Sequence, residues 1–314
     1  MNAFAKQTIR GAVHTALGPV EARLLARRGG AAKAPHIFIL GAPRSGTSLF
    51  YEALITRYHF AYFSNLAHRF WKVPVAVSRL GRSVIERRQP VFNSQYGHID
   101  GWSAPNEGGW IWQRWLEDGD WQDETALADV TGLDDMQMTL NAMSSALEAP
   151  FINKNVMHSN RIRLLDAAFP GCLFLEVRRD ELDTARSIIR ARQRNKGPLE
   201  DASEWWSVRP SNAGQGQAGA RDLVEMAWLQ VRGVGADIRR DTDLIGSDRL
   251  LSVDYAALCR DTNAVLSDVA GFLARHNVNL GVRQEIPPHF QGRHTQLLSG
   301  PDEGRLIALQ QAGG

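Results

Sequence analysis

Cys172 and Cys259 are the only two cysteines among 314 residues. That number excludes a disulfide scaffold. Both fall in apolar stretches that read as core, which suits a reducing compartment. No Cys/His cluster has the spacing of a metal site. Net charge is only +2, so no whole-molecule field draws the chain to nucleic acid. No apolar run is long enough to span a bilayer, and no secretory signal with an apolar centre is visible. A cytoplasmic location is therefore expected. What remains is an ordinary globular composition, 44% hydrophobic and 22% charged. It can build a substantial core in one large α/β domain or two small ones. No internal repeat is present.

One more absence is local. No lysine lies between Lys33 and Lys72, although the segment between them has the frame of a phosphate loop. His36 to Leu40 reads as an apolar strand, Gly41-Ala42-Pro43-Arg44-Ser45-Gly46 as a small-residue turn, and Thr47 to Arg57 as a helix. A helix N-terminus presents unpaired N–H groups and a positive dipole end, so this order of elements makes an anion cradle. The triphosphate loop G-x-x-x-x-G-K-[ST] places a lysine at its seventh position. Thr47 stands there, and the cation has moved to Arg44. An ordinary ATP or GTP hydrolase is disfavoured; a nucleotide with a different 5′ end fits.

A second anion site is written at Leu173–Ser187. Leu173 to Val177 reads as a buried strand. Asp180, with Asp183 three residues on, resembles a capping box for the following helix. Arg179 then stands at the carboxyl end of the strand, with Ser187 eight residues later on the helix. Open α/β sheets bind ligands at those strand ends. An Arg and a hydroxyl placed there can clamp a second phosphate.

Together the two segments resemble the sulfotransferase superfamily, which uses 3′-phosphoadenosine 5′-phosphosulfate (PAPS). Pro43-Arg44-Ser45-Gly46-Thr47-Ser48 is similar to its 5′-phosphosulfate loop, and Arg179 with Ser187 to its 3′-phosphate motif. Asn153-Lys154-Asn155-Val156-Met157-His158 with Phe169-Pro170, and Val253-Asp254-Tyr255 with Asp261, match further elements of the bacterial and Golgi-type branch. The likeness covers about residues 35–275 in the expected order. It departs at Glu181, where the family has Pro, after Lys154, where a Pro is replaced, and at Val156, where the cytosolic branch has its catalytic His. The resemblance implies a P-loop-like three-layer α/β fold, a central parallel sheet flanked by helices. It implies PAPS as donor and no metal. It makes Arg44, Ser45, Gly46, Thr47, Ser48, Arg179 and Ser187 the donor-binding set, with Arg293 as a late contact. Ser103-Ala-Pro-Asn-Glu107 resembles the P-x-E element, which makes Glu107 the leading base. His98, Asp100 and His158 are its rivals, and Lys154 adds positive charge near the transferred group.

The expected organisation is an N-terminal helical extension over residues 1–34 and a catalytic domain over 35–314. Within that domain residues 66–130 are a substrate-facing insertion and 195–222 a mobile gate. In the extension, Ile9, Val13, Leu17, Val20 and Leu24 recur at helical spacing beside Lys6, Arg10, Arg23, Arg27 and Arg28. Residues 1–28 are thus a basic amphipathic helix at the inner membrane surface, a helix packed on the domain or an oligomer contact. Gly18-Pro19 is expected to break or kink it. Tyr58 to Ser64 reads as a second strand, residues 66–100 as irregular and basic, and Arg249 to Tyr255 as the last central strand. Trp102, Trp110, Trp112, Trp115 and Trp121 can stack on sugars or fill core.

Three function classes follow. One is a sulfotransferase acting on a hydroxyl, or an amine, of a carbohydrate, lipid or small-metabolite acceptor. The others are a P-loop kinase-like phosphotransferase and a nucleotide-binding pseudoenzyme. Small-molecule or glycan acceptors are the expected partners, and oligomeric state is not legible.

Overall fold

The computed structural model describes residues 3–30, 32–92, 99–116, 132–194, 205, 207–214, 222–292 and 295–312. Four short strands, β1 (Ile37–Leu40), β2 (Ile152–Lys154), β3 (Leu173–Arg178) and β4 (Leu250–Asp254), form one sheet in the order β2-β1-β3-β4. Every pairing is parallel. β1 is completely buried, as an apolar strand covered on both faces should be. From β1 the chain reaches β2 on one side, then returns across to β3 on the other. The loops after β1 and β3 therefore flank a switch point of the sheet, where open α/β folds bind ligands.

The helices are α1 (Ala3–Arg28), α2 (Thr47–Arg57), α3 (Asn65–Arg69), α4 (Pro74–Leu80), α5 (Arg82–Glu86), α6 (Gly109–Trp112), α7 (Leu133–Leu147), α8 (Ile162–Ala168), α9 (Glu181–Arg194), α10 (Leu223–Ile245), α11 (Tyr255–Arg260), α12 (Thr262–Arg275) and α13 (Pro301–Ala312). β1, α2, β3 and α9 stand where the sequence puts them. Asp180 caps α9, its Oδ1 accepting the Asp183 amide at 2.8 Å. The main core lies around the sheet, and a satellite cluster joins α9, α10 and α13 through Ile188, Ile189, Trp228, Val231 and Leu306. Cys172 and Cys259 are buried free thiols. Among the described residues no helix is long and apolar enough to cross a membrane.

Three expectations are corrected. Tyr58 to Ser64 is not a strand; it makes only isolated bridges at Tyr58, Ala61 and Ser64. The ladder position beside β1 is taken by β2. Ala61 merely brushes the edge, donating to Pro150 O at 2.9 Å and accepting from Ile152 N at 2.8 Å. Residues 66–92 are largely helical, because Ser64 caps α3 through the Ala67 amide and Pro74 sits at the first turn of α4. Finally, α1 runs unbroken through Pro19. Pro19 lies on its exposed side, and packing against α4 and α7 holds the helix.

α1 turns Val13, Leu17 and Leu24 inward, onto the core, rather than toward a membrane. Its buried Glu21 accepts the Val75 and Ala76 amides, at 3.1 and 2.6 Å, and so caps α4 from a distant part of the chain. Burial raises the Glu21 carboxyl from 4.5 to about 7. The folded chain therefore holds this proton more tightly than the unfolded chain. That contribution is complete below about pH 4.5 and is lost as pH rises through about 7. The melting-temperature difference between wild type and Glu21→Gln should turn against wild type across this window. A difference that stays flat contradicts the assignment.

Candidate functional site

The turn after β1 needs glycine at both ends. Gly41 has φ +144° and Gly46 φ +103°. A Cβ on Gly46 would lie 2.2 Å from the Tyr255 ring, so any larger residue displaces either the loop or that ring. Arg44 also has positive φ, at 68°, which is uncommon outside glycine. Contacts from the second segment hold it. Arg44 Nε donates to Ser187 Oγ at 3.2 Å, and Arg179 donates to the Arg44 carbonyl at 3.1 Å. The two anion-binding segments foreseen separately thus meet in one place.

The start of α2 is built to receive an oxyanion. Its first amides have no partner within the helix, and the dipole is positive there. Ser45 Oγ is buried with no hydrogen-bond partner among the described residues, a deficiency that an anion in the loop would relieve. Thr47 is buried beside it and Ser48 is half-buried. From behind, Ser159 Oγ braces the loop, accepting from Gly41 N at 3.0 Å and donating to Gly41 O at 3.2 Å.

Lys154, at the end of β2, brings a buried cation to the same point. Its Nζ lies 3.3 Å from Ser48 Oγ and pairs with the Glu107 carboxylate. Glu107 comes from the loop before α6, and its carbonyl accepts from Asn155 Nδ2 at 3.4 Å. Its side chain keeps 34% of its exposure while that of Lys154 keeps 4%. The carboxylate therefore opens outward from a fixed cation.

Arg179 is held on three sides: 4.9 Å above the Tyr255 ring, 3.0 Å from Thr295 Oγ1 and 3.9 Å from the Asp183 carboxylate. The guanidinium is fixed in advance, a geometry that suits phosphate.

His158 lies in the short 3₁₀ segment Val156–Asn160 that follows β2. It is wholly buried, and burial, reinforced by Arg161 and Lys154, pushes its pKa well below the ordinary value. Its ring packs on Phe38 and Trp112, and Nε2 donates to Asn153 Oδ1 at 2.8 Å. It fixes Asn153, whose Nδ2 reaches the Asn106 carbonyl at 3.4 Å. Asp100 is exposed, outside any helix or strand. His98, Arg293, Trp121 and most of the segment read as a gate lie outside the described residues. Trp112 and Trp115 are core, edge to face at 5.8 Å, whereas Trp102 and Trp110 are exposed. Ser159, Tyr255 and Thr295 were missed as site residues. Only Tyr255 carried a signal, since it sits where the last central strand meets the next helix. Among the described residues no group of three or more His, Cys, Asp or Glu side chains could hold a metal.

A model of the sulfotransferase family matches residues 35–276. No curated protein matches the chain by sequence. Among solved structures, a sulfotransferase of Mycobacterium avium is similar, with a TM-score of 0.55 and 15% identity over 96% of this chain and 72% of that one. A sulfotransferase of Mycobacterium tuberculosis H37Rv has a TM-score of 0.48 and 14% identity over 84% of this chain and 72% of that one. At such identities the first likeness speaks for the fold alone.

Proposed function

The chain belongs to the sulfotransferase family, and from that premise we propose that it moves a sulfuryl group from PAPS to a hydroxyl of a small-molecule or glycan acceptor. The observation that carries this reading is the junction of Arg44, Ser187 and Arg179 past the ends of β1 and β3. One anion site serves a mononucleotide 5′ end. Two that adjoin suit an adenosine phosphorylated at both the 5′ and the 3′ positions.

The residues present fit such a donor. The buried Ser45 hydroxyl, with no hydrogen-bond partner among the described residues, and the first amides of α2 are donors of the kind an oxyanion takes. Arg179 and Ser187 supply donors for the 3′-phosphate, and Arg44 spans the two ends from the 5′ loop. Bound there, the donor brings an activated sulfuryl group and a phosphate oxygen as leaving group. Lys154, Ser48 and the first amides of α2 meet the negative charge that grows on that oxygen. They are fixed before the reaction begins, which is why they can lower the barrier. Arg44 contributes charge and hydrogen bonds, since a guanidinium does not give up a proton near neutral pH. Glu107 takes the acceptor's hydroxyl proton as the oxygen–sulfur bond forms. Its pairing with Lys154 keeps base and cation side by side.

Thermal melting with nucleotides tests the reading. Adenosine 3′,5′-bisphosphate, the product nucleotide, should stabilise the chain by about 2.7 kcal/mol at a hundredfold excess over its Kd, and Mg·ATP by much less. Equal or greater stabilisation by Mg·ATP would instead favour a kinase-like phosphotransferase.

A further inference from the structure

A cleft of about 370 Å³ opens beside the catalytic loop, lined by Asn65, His68, Arg69, Gly101, Trp102, Asn106 and Trp110. That volume lies within the range of small-molecule sites. Asn106 immediately precedes Glu107, so the wall of the cleft and the proposed base are consecutive residues.

The cleft is cross-linked by hydrogen bonds and mixed in chemistry. Trp110 stacks on His68, with ring centroids 4.6 Å apart and 20° between planes, and the Arg10 guanidinium sits 5.4 Å from the same indole. Trp102 is 58% exposed, and no aromatic ring stacks on it among the described residues. Its loop is pinned nonetheless. Asn65 Nδ2 donates to Ile99 O and Gly101 O at 2.7 and 2.8 Å, and Trp102 O accepts from Leu66 N at 2.9 Å. Asn106 Nδ2 donates to Asn65 Oδ1 at 2.7 Å. Arg69 forms no ion pair among the described residues, which leaves its fork of N–H donors to the cleft.

An open indole face beside planar amide and guanidinium groups suits a ring that is apolar on its faces and hydroxylated at its rim. The geometry points to a sugar ring as the acceptor moiety, lying on Trp102 with its hydroxyls toward Arg69 and the Asn65–Asn106 pair. This rests on the sulfotransferase reading and gives that site its acceptor class. Arg10 belongs to α1, outside the family match over 35–276. The N-terminal helix thus touches one wall of the cleft through Arg10 and Trp110.

Saturation-transfer NMR on the full chain, with cellobiose and phenol as probes, tests the assignment without turnover. Transfer to the cellobiose ring protons is expected, weaker transfer to phenol, and a severalfold loss of the cellobiose signal in Trp102→Ala. Arg69→Gln is the second variant, with the same expectation should Trp102→Ala melt early. No transfer to cellobiose, equal transfer in the variants, or stronger transfer to phenol would overturn the sugar cleft. Adenosine 3′,5′-bisphosphate should stabilise wild type and variants alike. Loss of that stabilisation in wild type would strike the donor reading alone, so the two failures are distinguishable.

Discussion

Replacing Arg44 by alanine should lower kcat by about two to three orders of magnitude, as removal of one pre-set anion contact does. The guanidinium links the 5′ loop to Ser187 on α9. Losing it removes a positive charge from the donor site and uncouples the two halves of that site. Arg44→Lys restores the charge but not the planar fork, and should recover much of the rate. The backbone at 44 has positive φ, a conformational cost of about 1–2 kcal/mol that arginine already bears and alanine would share. Thermal melting separates this cost from catalysis, since glycine at 44 would relieve the backbone and leave the rate low. Steady-state kinetics at saturating donor decides the matter. Near-wild-type kcat in Arg44→Ala would remove the residue from the mechanism.

Glu107→Gln should be comparably severe, with kcat down by about two to four orders of magnitude, the worth of a positioned general base. Glutamine matches glutamate in shape but accepts no proton. The carboxylate also balances the buried Lys154, so the variant leaves that ammonium without its counter-charge and some stability is lost. The readout that separates these effects is the split between kcat and donor binding. In the proposed mechanism Glu107 serves the acceptor, so the affinity for adenosine 3′,5′-bisphosphate should hardly change while kcat collapses. A kcat within a few-fold of wild type would pass the role of base to another group. A parallel loss of nucleotide affinity would make Glu107 a positioning residue for Lys154.

Much of this site is legible in the chain because its local signals are strong. An apolar strand, two glycines and a hydroxyl-bearing helix start announce β1, the loop and α2. Asp180 and Asp183 announce α9. What stays hidden depends on contacts between distant residues. Lys154 meets Ser48 across 106 positions, and Ser159 braces Gly41 across 118; no periodicity records either. β2 is three residues long, too short for an alternation to register. Tyr58–Ser64 has the aromatic content of a strand, yet those side chains serve the core without a ladder. Pro19 obeys the rule for helix breakers only where packing does not overrule it. His158 has the residue type of a base, but its burial becomes visible only once Phe38 and Trp112 close around it.

The central claim is that neighbouring pockets at Arg44–Ser48 and at Arg179–Ser187 hold the two ends of one nucleotide. Calorimetric titration of wild type and Arg179→Ala with adenosine 3′,5′-bisphosphate and with adenosine 5′-monophosphate measures this most directly. Wild type should bind the bisphosphate far more tightly, and Arg179→Ala should lose most of that preference while keeping its affinity for the monophosphate. Equal affinity of wild type for the two nucleotides, or a preference untouched by Arg179→Ala, would contradict it.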